Sequence, residues 1–271
     1  MKKSSQDSVL VNNMVFDTHC HVYDSKYLEG AIEVIKTSIS NGVDLFMIPG
    51  DNLVNSKKAV ELANMFKEVY CAIGVHPSDV MELDIEDAIK ELKELYKTSN
   101  KIKAIGEIGL DKYWVKEEHV IAKQKEFFIR QIELANELQL PIIIHDREAH
   151  LETLEILIKY KPLYGGVMHC FSGSVEYMKE ILNLGLYIGL DGPVTYKNAV
   201  VPKEVALHCP LDKLLVETDS PYLTPTPNRG KNNYPHYVKF VIDEIARIKS
   251  NDSREIEKAT YENGKKLFGI E

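Results

Sequence analysis

The chain has 271 residues, is 44% hydrophobic and 27% charged, and carries a formal net charge of −8. That length suits a single α/β barrel of roughly 250 residues, and the apolar fraction is ordinary for a globular protein with a sizeable core. The acidic balance excludes a protein that tracks long nucleic acid by neutralising phosphates, so any nucleic-acid contact is expected to be short, local and metal-assisted.

Residues 1–13 open on Lys2-Lys3 and are then mostly polar, and their one apolar piece, Val9-Leu10-Val11, is too short for a signal-peptide core. They are expected to be a flexible N-terminal tail, with residues 14–271 forming the barrel. No apolar run reaches the roughly 18 residues of a membrane span, so no membrane association is expected. The four cysteines, Cys20, Cys71, Cys170 and Cys209, are far apart and form no C-x-x-C pair. They read as free thiols in a reducing compartment, which with the polar N-terminus points to a cytoplasmic protein. Cys20 and Cys170 each adjoin a histidine, which leaves zinc–thiolate ligation as a minor alternative.

Short β-branched runs alternate with longer helical patterns along the whole chain. Strands are expected at 15–18, 43–48, 69–75, 102–105, 141–144, 166–168, 186–190 and 214–216. Helices are expected at 31–40, 55–66, 84–96, 119–138, 151–159, 175–184, 198–207, 237–249 and 254–267, with Asp84 as an N-cap. Eight strand–helix alternations imply parallel strands with right-handed crossovers, and the fold class is read as a single-domain (β/α)8 TIM barrel. A doubly wound open sheet is the alternative.

The first strand ends in His19 and His21, which at spacing i, i+2 project to one face of an extended chain. Taken alone they could be surface loop histidines. Other strand-like segments, however, also end in titratable residues: Glu107, His145, His169 and Asp219. In a barrel these ends converge on one face. Four imidazoles and two carboxylates exceed one tetrahedral zinc site and suit two divalent ions sharing a carboxylate, for which Glu107 is the natural bridge. The carboxylates would tolerate Mg2+ or Mn2+, and the histidines would also accept Zn2+. Asp219 and Glu107 are the candidate catalytic residues, and Glu217 is a candidate support behind a ligand. His76, Arg147 and Arg229 are candidate phosphate contacts; their bland readings are a packed loop and surface ion pairs. Tyr113-Trp114 could stack a base or simply pack.

The segments Asp17-Thr18-His19-Cys20-His21, Gly74-Val75-His76-Pro77, Gly106-Glu107-Ile108-Gly109-Leu110-Asp111, Ile144-His145-Asp146-Arg147, His169-Cys170-Phe171-Ser172-Gly173 and Glu217-Thr218-Asp219-Ser220-Pro221-Tyr222-Leu223 together resemble the TatD family of metal-dependent deoxyribonucleases, within the amidohydrolase-like hydrolases. The resemblance implies a TIM barrel with one metal on His19, His21, Glu107 and Asp219 and a second on Glu107, His145 and His169. It also implies Mg2+-dependent 3′-to-5′ cleavage of DNA, with short single strands or 3′ ends as partner and no obligate protein partner. The chain departs from the family at Arg229-Gly230-Lys231-Asn232-Asn233-Tyr234-Pro235, where Asn232 and Tyr234 replace a basic and an acidic residue. Two rivals stand beside this reading: a hydrolase of another ester or an amide on the same barrel, and a non-catalytic metal- or partner-binding scaffold.

Overall fold

The computed structural model describes residues 14–271, so the expected N-terminal tail lies outside the described residues. The strands are β1 (Phe16–Asp17), β2 (Leu45–Pro49), β3 (Val69–Ile73), β4 (Ile102–Asp111), β5 (Ile142–Arg147), β6 (Gly166–Met168), β7 (Tyr187–Leu190) and β8 (Leu214–Val216). The helices are α1 (Ala31–Ser40), α2 (Leu53–Met65), α3 (Ile85–Tyr96), α4 (Glu118–Leu138), α5 (His150–Tyr160), α6 (Val175–Asn183), α7 (Val201–His208), α8 (Val238–Lys249) and α9 (Ser253–Phe268). Asp84 caps α3, its side chain accepting the Asp87 backbone N–H at 3.0 Å.

All strands pair in parallel in the order β1 to β8. The two edges then meet: Thr18 N–H donates to the Val216 carbonyl at 3.2 Å, Asp219 N–H to the His19 carbonyl at 2.9 Å, and His21 N–H to the Ser220 carbonyl at 2.8 Å. This closes a barrel and removes the open-sheet alternative. A second fastening lies just inside the seam, where the buried Asp17 carboxylate accepts Thr218 N–H at 2.9 Å and Thr218 Oγ1–H at 2.6 Å.

Each strand contributes one residue to one contiguous apolar cluster: Phe16, Met47, Ala72, Ala104, Ile143, Val167, Tyr187 and Leu215. Leu267, Phe268 and Ile270, at the end of α9 and beyond it, join that cluster. The Phe16 and Phe268 rings meet edge to face, 6.0 Å between centroids. The interior is therefore a filled core, and the opposite end, beyond the strands' carboxyl termini, is left for chemistry.

The fourth strand is longer than expected. It continues through Glu107 to Asp111, with a register shift between Ile105 and Ile108. Gly109 makes this possible. At its φ of 144° a side chain would be strained, and a Cβ there would lie 1.9 Å from the His145 carbonyl oxygen. That close approach sets β4 against β5 with Gly109 opposite His145.

Candidate metal centre

A cavity of about 500 Å³ opens at the carboxyl ends of the strands, lined among others by His21, His76, Glu107, His145, His169 and Asp219. His19 lies beneath it, fully buried. Every one of the six sequence-derived ligand candidates is therefore at one place, including His19 and His21 from the β1 end and Asp219 from the β8 end, which the barrel seam draws together.

Glu107 sits at the centre, and its two oxygens face different partners. Oε2 lies 3.3 Å from His19 Nε2 and 3.5 Å from His21 Nε2. Oε1 lies 2.8 Å from His169 Nε2 and 2.9 Å from His145 Nδ1. On the first side, His19 Nε2 is 3.1 Å from His21 Nε2, and Asp219 Oδ1 is 3.8 Å from His19 Nε2 and 3.4 Å from His21 Nε2. These five separations are close to the edge lengths of a tetrahedron whose centre lies about 2 Å from each corner, the bond length that imidazole nitrogen and carboxylate oxygen make to a divalent ion such as zinc. On the second side, His145 Nδ1 and His169 Nε2 lie 3.4 Å apart beside Oε1. The donor set fits two cations with Glu107 shared between them.

Two of the histidines are braced from behind by hydrogen bonds: Tyr23 Oη lies 3.0 Å from His21 Nδ1 and Asp111 Oδ2 lies 3.1 Å from His145 Nε2. Glu217 Oε1 lies 3.5 Å from His169 Nδ1, an ion-pair distance without a hydrogen bond. Buried carboxylate or hydroxyl partners of this kind fix ring orientation and raise ligand basicity. Of these, Glu217 was expected from the sequence. Asp111 and Tyr23 were missed, although Asp111 lies in the same strand as Glu107 and Tyr23 is two residues beyond His21.

Burial opposes ionisation of Glu107, yet the imidazoles around it, His169 foremost, hold its carboxyl well below the usual range. Burial likewise opposes protonation of His169, but Glu107 and Glu217 push its imidazole well above the ordinary value. Burial, with His145 adding to it, drives His76 down to about 3. His76 is thus neutral. Its Nδ1 accepts the Ser78 backbone N–H at 3.1 Å, so the ring hydrogen is on Nε2, 3.5 Å from Glu107 Oε1. It presents a donor to the cavity rather than a lone pair.

Arg147 is exposed at the cavity wall, with its guanidinium 3.8 Å from the Tyr113 ring centroid and 5.6 Å from that of Trp114. Arg229 is not among the residues lining the cavity; it lies over the Tyr196 ring at 3.7 Å. The departures at Asn232 and Tyr234 brace a neighbouring loop. Asn232 Nδ2 donates to the Lys26 carbonyl at 3.0 Å, and Tyr234 Oη donates to Glu29 Oε1 at 2.8 Å. No helix among the described residues is long and apolar enough to cross a membrane.

Comparison with known proteins identifies the family. Residues 16–269 match the family described as TatD related DNase. An uncharacterized metal-dependent hydrolase of Bacillus subtilis, YabD, is 43% identical over 95% of this chain and 100% of its own length. A Citrobacter rodentium protein named 3′-5′ ssDNA/RNA exonuclease TatD is 34% identical over 94% of this chain and 98% of its own. Among solved structures, the TatD homologue YJJV of Escherichia coli superimposes with a TM-score of 0.89 at 27% identity, covering 95% of this chain and 99% of that one.

Proposed function

The chain belongs to the TatD related DNase family of metal-dependent hydrolases, and from that premise we propose that it hydrolyses phosphodiester bonds of DNA, releasing nucleotides from the 3′ end of short single strands with two divalent cations. The observation that carries this reading is the division of Glu107, whose Oε2 faces His19 and His21 and whose Oε1 faces His145 and His169. The relative named as an exonuclease supports the nucleic-acid substrate.

His19, His21, Glu107 and Asp219 would hold one ion, and Glu107, His145 and His169 the other. Mg2+ or Mn2+ suits the carboxylates, and the imidazoles also accept Zn2+. A pair of divalent ions supplies charge stabilisation for the attacking and leaving oxygens of an in-line displacement at phosphorus. Asp219, at the cavity wall, orients the attacking water and takes its proton. The Nε2–H of His76 donates to a phosphate oxygen, and Arg147 grips the next phosphate along the strand in a forked contact. Arg229 is a more distant phosphate contact at the rim. The acidic remainder of the cavity mouth, with Asp24, Asp51 and Asp146, disfavours a long polyanion and so favours chain ends.

The test is cleavage by metal-free protein of single-stranded oligonucleotides labelled at the 5′ or the 3′ end, with Mg2+, Mn2+ or Zn2+ restored. A 5′ label retained on a ladder shortening from the 3′ end is the expected result. No cleavage with any of the three ions would overturn the proposal.

A further inference from the structure

Beside the two-ion centre is a second group of donors that it does not use. Cys170 follows His169 at the end of β6, and Asp191 follows β7. The Cys170 thiol, a carboxylate oxygen of Asp191 and a carboxylate oxygen of Asp219 all lie within 4.8 Å of one another. Asp191 is 4% exposed, and its Oδ2 has no hydrogen-bond partner among the described residues. Its charged neighbours are the carboxylates of Glu217 and Asp219 and the imidazole of His169, which loses its charge once it ligates a cation. Among the described residues no lysine or arginine forms an ion pair with it. With His169 neutral on its own cation, a buried acid crowded by two others is costly, and a cation bound beside it relieves the crowding. Cys170 and Asp219 line the cavity, so an ion has a route in from solvent.

We propose that Cys170, Asp191 and Asp219 form a third cation site, selective for a thiophilic divalent ion such as Zn2+, at the edge of the two-ion centre. One thiolate and two carboxylates suit zinc, whereas the hard Mg2+ ion prefers oxygen and water. On ligation the Cys170 thiol loses its proton to solvent. Because Asp219 belongs to both sites, filling the third site couples to the catalytic centre. This builds on the two-ion reading but is separable from it.

Metal-free full-length protein is titrated with Co2+, a spectroscopic substitute for Zn2+, following metal equivalents and the near-ultraviolet sulfur-to-cobalt charge-transfer band. Wild type should bind three equivalents and develop the band, while Mg2+ should stop at two. Cys170→Ser and Asp191→Asn, each checked for folding by circular dichroism, should lose the band and one equivalent. Saturation of wild type at two equivalents without a band would overturn the proposal. So would a band that survives Cys170→Ser, or three equivalents with an unchanged band in Asp191→Asn. A wild-type band that is lost in Cys170→Ser, with fewer than two equivalents remaining there, would contradict the two-ion reading and leave the third site standing.

Discussion

Tyr23 holds His21 in a single tautomer. The Tyr23 hydroxyl donates its one hydrogen to the Pro49 carbonyl at 2.7 Å, so toward His21 Nδ1, 3.0 Å away, it can only accept. The ring hydrogen of neutral His21 is therefore on Nδ1, and the Nε2 lone pair points at Glu107 and Asp219. Tyr23→Phe removes that hold and frees the other tautomer. Affinity for the ion on the His19–His21 side should fall about 10- to 100-fold, the usual effect of losing such a support. Calorimetric metal titration of the variant reads this directly; an unchanged affinity would mean that packing alone orients the ring.

Metal uptake should depend on pH with a definite sign. Burial opposes protonation of His21, His145 and His169, but the neighbouring carboxylates win and raise all three imidazoles. In the cation-free protein these rings keep protons to a higher pH than an ordinary histidine does, and a protonated ring cannot ligate. Cations should thus displace protons, and affinity should rise as pH climbs through and beyond the ordinary histidine range. Titrations in two buffers of different ionisation enthalpy count the protons released. A count of zero near pH 6.5 would contradict the reading.

Arg147 lies over Tyr113 and Trp114 with its planar guanidinium. Arg147→Lys keeps the charge and loses the plane and the fork. The expected result is a KM for oligonucleotides raised roughly tenfold, with metal affinity unchanged. Unaltered kinetics would reduce Arg147 to a stacking partner in the wall.

The filled core below the site makes stability and chemistry separable. Phe16 is 1% exposed and packs on Phe268. Phe16→Ala should cost about 3–5 kcal/mol in unfolding free energy. The folded variant should still bind the same number of ions, because no ligand side chain packs on the Phe16 ring, which meets Phe268. Denaturant melts and metal analysis of one preparation check both halves.

Much of the architecture was legible because buried parallel strands read as apolar runs and ligands follow those runs directly, as in Val15-Phe16-Asp17-Thr18-His19. The full length of β4 was not legible, since Gly106 and Gly109 look like breakers. Only the approach of β5 shows that Gly109 lets the two backbones come together. Asp111 was hidden for a related reason: its role depends on His145 lying on the adjacent strand, a contact that spacing along the chain does not encode. The placement of Arg229 on Tyr196, away from the cavity lining, depends likewise on which loops meet.

The bridging carboxylate is tested most directly by counting ions in Glu107→Ala. His19→Ala should weaken one ion and His169→Ala the other, each variant retaining about one equivalent. Glu107→Ala should bind fewer ions than either and cleave no DNA, while its circular dichroism stays that of the folded barrel. If folded Glu107→Ala still binds two ions and cleaves DNA at near wild-type rate, Glu107 does not join the two sites.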